Sequence, residues 1–273
     1  MSSQAGHELR ELELKDFILS HPSLETLRGS PQGILSLIDE FERTRKGLLK
    51  PSSHKARIIR DLIAALRPTV MIEMGGYVGY SAILFGDAFP RETMDNMHFF
   101  SLEPNHCFAD IAKCLIDLAG LSSFVEVMAG PTDASIRRLF SLGLKKVDFM
   151  LVGHDKLAYT PSLKLFENLR MVSPGTVIVV DNATFSGNKP YMKYVRTSVE
   201  EKREVVKRRE SPDIFNMSKI LATIDPEVRP GNPNLNYETW SMDGTGPAWN
   251  MGLVEVVECI GEEETSSPMS TSV

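Results

Sequence analysis

Five compact apolar runs succeed one another with helix-like stretches between them: Val70-Met71-Ile72, Phe99-Phe100-Ser101-Leu102, Val125-Glu126-Val127-Met128, Val147-Asp148-Phe149-Met150-Leu151-Val152 and Thr176-Val177-Ile178-Val179-Val180. Runs this continuous belong to strands covered on both faces, and strands alternating with helices pair in parallel. The pattern predicts an α/β fold built on a doubly wound, mostly parallel sheet. One more run, Gly252-Leu253-Val254-Glu255-Val256-Val257-Glu258, follows a segment rich in Pro, Gly and Asn at 212–247, and a hairpin-like end would set that strand antiparallel.

Ahead of the first strand, Leu12, Leu14, Phe17, Ile18 and Leu19, then Ile34, Leu37, Ile38 and Phe41, recur at helical steps interrupted by His21-Pro22 and Ser30-Pro31. They predict short amphipathic helices, and Pro51-Ser52-Ser53 supplies a turn and a hydroxyl cap for the next one. The expected organisation is a helical flank over 1–50, one α/β domain over 51–260 and a polar, disordered tail over 261–273. The cluster Lys202, Arg203, Lys207, Arg208, Arg209 is interleaved with glutamates and reads as a solvated helix face.

Charge and apolar patterning exclude several classes of function. Thirty Lys+Arg against thirty-six Asp+Glu give a formal charge of -6, which disfavours nucleic acid and anionic membranes as partners. No apolar run approaches the ~20 residues of a membrane helix, and charges crowd the first twenty positions, so a cytoplasmic location is expected. Cys107, Cys114 and Cys259 form no CxxC pair and predict free thiols.

The chemistry concentrates at predicted strand ends. In Ile72-Glu73-Met74-Gly75-Gly76-Tyr77-Val78-Gly79-Tyr80-Ser81, a strand closes on an acidic residue and runs into glycines spaced E-x-G-x-x-x-G. Glycine there lets backbone approach a ligand at the crevice where doubly wound sheets bind nucleotides. The spacing is neither that of a dinucleotide fingerprint nor that of a P-loop, so the ligand is nucleoside-like but not held through phosphates. Glu103 ends the second strand, where a carboxylate accepts both ribose hydroxyls. Gly130-Pro131-Thr132-Asp133 follows the third strand and Asp181-Asn182 the fifth, so polar groups recur at successive strand ends.

From about residue 49 to 196 the chain resembles catechol O-methyltransferase, a class I family that uses S-adenosylmethionine, through IEMGGYVGYSA, SLEPN, AGL, LVGHDKLAY, PGTVIVVDN and YVR. The resemblance implies a seven-stranded Rossmann-like methyltransferase sheet with its last strand antiparallel, and a small aromatic or catechol-like hydroxylated substrate. It implies that Glu73, Gly75, Tyr77 and Ser81 line the methionine end of the cofactor and that Glu103 holds the ribose. Thr132, Asp133 and His154 would surround the adenine, and Lys156 matches the lysine that removes the acceptor proton. Asp181 and Asn182 match two of the three protein ligands of Mg²⁺.

The family's third ligand, an aspartate, falls on Gly153, and the nearest carboxylate, Asp155, is two residues further on. Two extended residues move a Cα by about 6.6 Å, more than an aspartate side chain recovers without a rearranged loop. The expectation is an enzyme that is metal-independent or weakly metal-assisted. Two other readings stay open: the cofactor fold with different chemistry (N-methylation or none), and a degenerate homologue that binds or regulates. Substrate identity and oligomeric state are not legible.

Overall fold

The computed structural model describes residues 2–45, 47–89, 97–181, 189–209, 230–242 and 254–264. Helices α1 (Ser2–Leu19), α2 (Leu24–Leu27), α3 (Pro31–Arg45) and α4 (Ser53–Leu66) precede the sheet. From β1 (Val70–Met74) the chain alternates through α5 (Tyr80–Gly86), β2 (His98–Glu103), α6 (His106–Leu118), β3 (Val125–Ala129) and α7 (Thr132–Ser141). It continues through β4 (Phe149–Val152), α8 (Tyr159–Asn168), β5 (Val177–Asp181), α9 (Lys189–Arg196) and α10 (Val199–Arg209), and ends in β6 (Leu235–Met242) and β7 (Val254–Glu262).

The seven strands lie in the order β3-β2-β1-β4-β5-β7-β6. The first five are parallel, β7 runs antiparallel to β5, and β6 antiparallel to β7. The parallel part and the reversed last strand are as the sequence predicts. β6 is a correction, because it lies inside the Pro, Gly and Asn-rich stretch read only as a connection. It is an edge strand with an irregular register at Asn236/Tyr237, and only Leu235 and Tyr237 are buried, so its apolar alternation is too short to stand out against the turn residues around it. β7 likewise runs to Glu262, past the predicted boundary at 260.

Two buried clusters cover the two sheet faces. On one face, Leu14, Ile18, Ile34, Ile38 and Phe41 of α1 and α3 join Ile83 and Phe85 of α5 and Ile111 and Leu115 of α6. The helical flank therefore shares a core with the sheet. On the other face, Ile136, Leu163, Phe166 and Tyr191 pack against Ile72, Met150 and Ile178. This second face corrects the reading of α10. Lys202 is buried, donates from Nζ to the Leu235 carbonyl at 3.0 Å and sits over the rings of Tyr194 and Tyr237. Arg203 bonds Asn234 at 2.9 Å. Lys202 and Arg203 of the basic cluster thus clamp β6 to the helical layer, while Lys207, exposed and paired with Glu204, is solvated as predicted.

Because flank and sheet share one core, Ile38→Ala, at a fully buried site, is expected to lower stability by about 2–5 kcal/mol in a single cooperative transition. Urea unfolding followed by circular dichroism and by tryptophan emission, to which Trp240 on the far-edge strand β6 contributes, should give coincident curves. An early, separate helical transition would show that the flank is an independent unit.

Candidate active site

The strand order reverses between β1 and β4, and the crevice above their carboxyl ends holds a cavity of about 480 Å³. Its floor comes from the ends of β1, β4, β5 and β7, its wall from α4 and α5, and its rim from residues 49–51. The turn after β1 is tight. Gly75 has φ +93°, and a Cβ there would lie 2.9 Å from the backbone of His154, so backbone packs on backbone where β1 and β4 end. Gly75 N–H and Gly76 N–H both donate to the Leu102 carbonyl, at 2.9 and 3.2 Å.

That turn places two carboxylates. Glu103 accepts from the N–H groups of Tyr77 and Asn105 at 2.7 and 2.8 Å, one on each oxygen. Burial raises its pKa while the two backbone donors oppose the rise. Glu73 accepts from Ser101 Oγ at 2.8 Å and from Ser81. Complete burial pushes its carboxyl up to about 7, against the two serine donors and with the help of the nearby Glu103 charge. Tyr77 itself has φ +48° and packs edge-on to Phe108 with ring centroids 5.0 Å apart. Its hydroxyl bonds Glu11, a buried residue of α1, and receives Arg10 Nη2 at 3.1 Å. The flank therefore reaches the site directly: Asn105, which also caps α6, donates to Glu8 at 3.0 Å.

Six of the predicted cofactor residues, Glu73, Gly75, Tyr77, Ser81, Glu103 and His154, line this one cavity. His154 stacks on Tyr159, pairs through Nε2 with Ser162 Oγ at 3.1 Å, and burial pushes its pKa down to about 4. It is therefore a neutral imidazole at physiological pH. Thr132 and Asp133 open α7 outside the cavity lining, Thr132 half-buried and Asp133 exposed. Their loop is tied to the site because Gly130 N–H donates to the Glu103 carbonyl at 3.0 Å. Lys156 is half-buried at the start of the short 3₁₀ turn Lys156–Ala158, immediately after the lining residues His154 and Asp155.

The metal expectation divides. Gly153 offers no donor, and Asp155 is committed as the cap of the 3₁₀ turn, its Oδ1 accepting from Leu157 N–H at 3.1 Å. Among the described residues no group of three His, Cys, Asp or Glu side chains is placed to hold a metal ion. Asp181 ends β5 in register with Val254, which lines the cavity; its side chain, and Asn182 and Trp249 as a whole, lie outside the described residues. The described donors do not make a hard-cation site. Trp240 is on the edge strand β6 and is not a lining residue, so it does not cover this cavity.

Sequence reasoning missed two groups. Lys50 and Lys55 line the cavity, Lys50 paired with Asp39 and lying over the Tyr80 ring at 5.3 Å. The Ser52 cap, whose Oγ accepts from Lys55 N–H, places Lys55 in the first turn of α4, yet nothing in the local pattern marks its side chain as buried. The Arg10–Glu11–Tyr77 contact spans 66 to 67 positions of sequence and carries no local signal either.

Such a crevice, with acidic strand ends beside a glycine turn at the point where the strand order reverses, is that of a doubly wound α/β protein with its ligand-binding face at the strand carboxyl ends. Residues 37–229 match the sequence model of the O-methyltransferase family, and the chain belongs to that family. It is 31% identical over 172 residues to catechol O-methyltransferase B of Danio rerio, covering 63% of this chain and 64% of that one. With the catechol O-methyltransferase of Bos taurus it shares 27% over 180 residues, covering 66% and 65%. The chain thus spans a little under two thirds of the length of these relatives. The O-methyltransferase TomG of Streptomyces achromogenes, solved in complex with SAM, has the same fold at a TM-score of 0.54 and 19% identity, covering 84% of this chain and 90% of that one. No helix among the described residues is long and apolar enough to cross a membrane.

Glu73 yields a pH prediction. The folded protein takes up a proton there between about pH 4.5, the ordinary value, and about 7. Its stabilising contribution is therefore fully present below the unfolded pKa and is lost as pH rises through 7. Glu73→Gln should stabilise the ligand-free protein at pH 8 by up to about 3 kcal/mol and change little at pH 4.5, while weakening cofactor binding. Thermal melts at the two pH values check it; equal shifts at both would remove the assignment.

Proposed function

We propose that this chain transfers a methyl group from S-adenosylmethionine to a hydroxyl of a small aromatic or catechol-like compound, without metal or with only weak metal assistance, in the cytoplasm. The observation that carries the reading is the single cavity joining Glu73 with Ser81 to a Glu103 pinned by two backbone N–H groups. When bound, the cofactor supplies an electrophilic methyl on a sulfonium.

The chain's own residues do the rest. Glu73 and Ser81 would hold the amino and carboxylate ends of the methionine part, Tyr77 would border the sulfonium end, and Gly75 would let the backbone come close. Glu103 receives the ribose hydroxyls on lone pairs that its two backbone donors leave open. Neutral His154, with Thr132 and Asp133, borders the adenine. Lys156 Nζ would take the acceptor's hydroxyl proton, leaving an oxyanion whose charge the methyl donor's positive charge would cancel on transfer. Neutralisation of this kind is favoured in a dry, preorganised site. Asp181 and Asn182 are the residues that would hold Mg²⁺, with Gly153 leaving the third position without a carboxylate.

Calorimetry with S-adenosylhomocysteine should show binding, and Glu103→Ala should weaken it by roughly 1.5–3 kcal/mol; a wild type that does not bind removes the reading. Lys156→Ala should reduce turnover by about 10²–10⁴ with cofactor affinity nearly unchanged.

Activity should survive EDTA. Among the described residues a Cβ added at Gly153 meets just the Met74 carbonyl, at 3.7 Å, so Gly153→Asp should create or strengthen Mg²⁺ binding, read by calorimetry with the metal. Full EDTA sensitivity of the wild type, with Asp155→Ala equally inactive, would show that Asp155 leaves its capping role to complete a metal site.

A further inference from the structure

The strand order divides the cavity. Glu103 and Glu73 end β2 and β1, on one side of the crevice, and the cofactor reading occupies that side. On that reading the acceptor lies toward β5 and β7, whose lining residues are Val179 and Val254, and α4 adds Ile59 to the same cavity's wall. One turn before Ile59, on the same face of α4, stands Lys55. It is only 6% exposed although it borders the cavity.

A lysine this deeply buried is rare unless its charge is answered, because desolvating an ammonium is expensive. The cavity's other lysine, Lys50, is tied at the rim to Asp39 and Tyr80. The charged groups on the far walls are Glu73, Glu103 and Asp155, and each already accepts hydrogen bonds from within the protein. Lys55 also has a partner in the structure, but an ammonium carries three donors, so a further acceptor is accommodated.

We propose that Lys55 is a catalytic residue that donates to the acceptor oxygen and holds it as the oxyanion, supplying from α4 the positive charge that the departed site at Gly153 no longer gathers as a metal. The proposal rests on the methyl-transfer reading above. In it, the acceptor's proton leaves to Lys156 Nζ, while Lys55 Nζ donates a hydrogen bond to the resulting phenolate. An opposite charge within hydrogen-bond reach favours the ionised form of a phenol by one to three units of pKa.

The test is an absorbance titration of 4-nitrocatechol bound to the full chain with saturating S-adenosylhomocysteine and EDTA, because the nitrophenolate band reports ionisation without turnover. The wild type should ionise the bound probe at least about one unit below free probe. Lys55→Met and the polar variant Lys55→Gln should each raise that apparent value by about one unit, a tenfold loss of phenolate preference, with affinity for S-adenosylhomocysteine within about threefold of wild type. Either variant retaining the wild-type ionisation would overturn the proposal. So would a wild-type preference that disappears when EDTA is added, which would assign the charge to a metal. Variants that lose the probe effect only together with cofactor binding would return Lys55 to a purely structural role. A wild type that fails to bind S-adenosylhomocysteine at all would overturn the methyl-transfer reading instead.

Discussion

Everything at the crevice depends on a backbone-to-backbone contact at the end of β1. Gly75 lies so close to His154 that no side chain fits between them, and this closeness joins the ends of β1 and β4 into one floor. The turn it closes then aims Tyr77 N–H at Glu103, so the carboxylate of one strand is oriented by the backbone leaving its neighbour. A larger residue at 75 would separate the strand ends and disorient Glu103 together, because the same few peptide groups serve both. The glycine is thus a condition for the electrostatics of the site as well as for its shape.

The site is also held under tension by its own burial. Glu73 and Glu103 are both desolvated, and the Glu103 charge further disfavours ionisation of Glu73. In a protein selected for stability alone, two apolar residues would serve better at these strand ends. On the proposed reading their cost is offset when a ligand brings an ammonium to one and hydroxyls to the other, which would link binding and stability through the same two groups. Glu11 belongs to this arrangement. Its buried carboxylate accepts from the Tyr77 hydroxyl, which ties the N-terminal helix to a residue that lines the cavity.

What was legible in the sequence follows from the range of the interactions. The parallel strands were readable because each is a local apolar run, and the acidic strand ends because they sit next to a glycine turn. The Ser52 cap is likewise local. Strand β6 was not readable, since only Leu235 and Tyr237 carry its buried face and their neighbours signal turns. Lys202 was misread for a related reason: its neighbours in sequence are exposed charges, and the Tyr194 and Tyr237 rings that cover it come from other elements. Lys55 and the Arg10–Glu11–Tyr77 contact were missed because burial of a charged side chain is decided entirely by tertiary packing.

The departure at Gly153 gains its meaning from what surrounds it. A metal-binding loop would need the carboxylate to point into the cavity, yet the nearest one, Asp155, spends its oxygen on the N–H of Leu157 and so starts the turn that carries Lys156. Pulling Asp155 toward a metal would uncap that turn and shift the proposed base, so the two roles compete for one side chain. At the same time the backbone at 153 has room for a Cβ, which means sterics did not force the aspartate out. The position is open and the loop is organised around a different task. On the proposed reading such a site works by positioning the base and drying the acceptor pocket, and the apolar Val179, Val254 and Ile59 of its floor and wall would exclude the water.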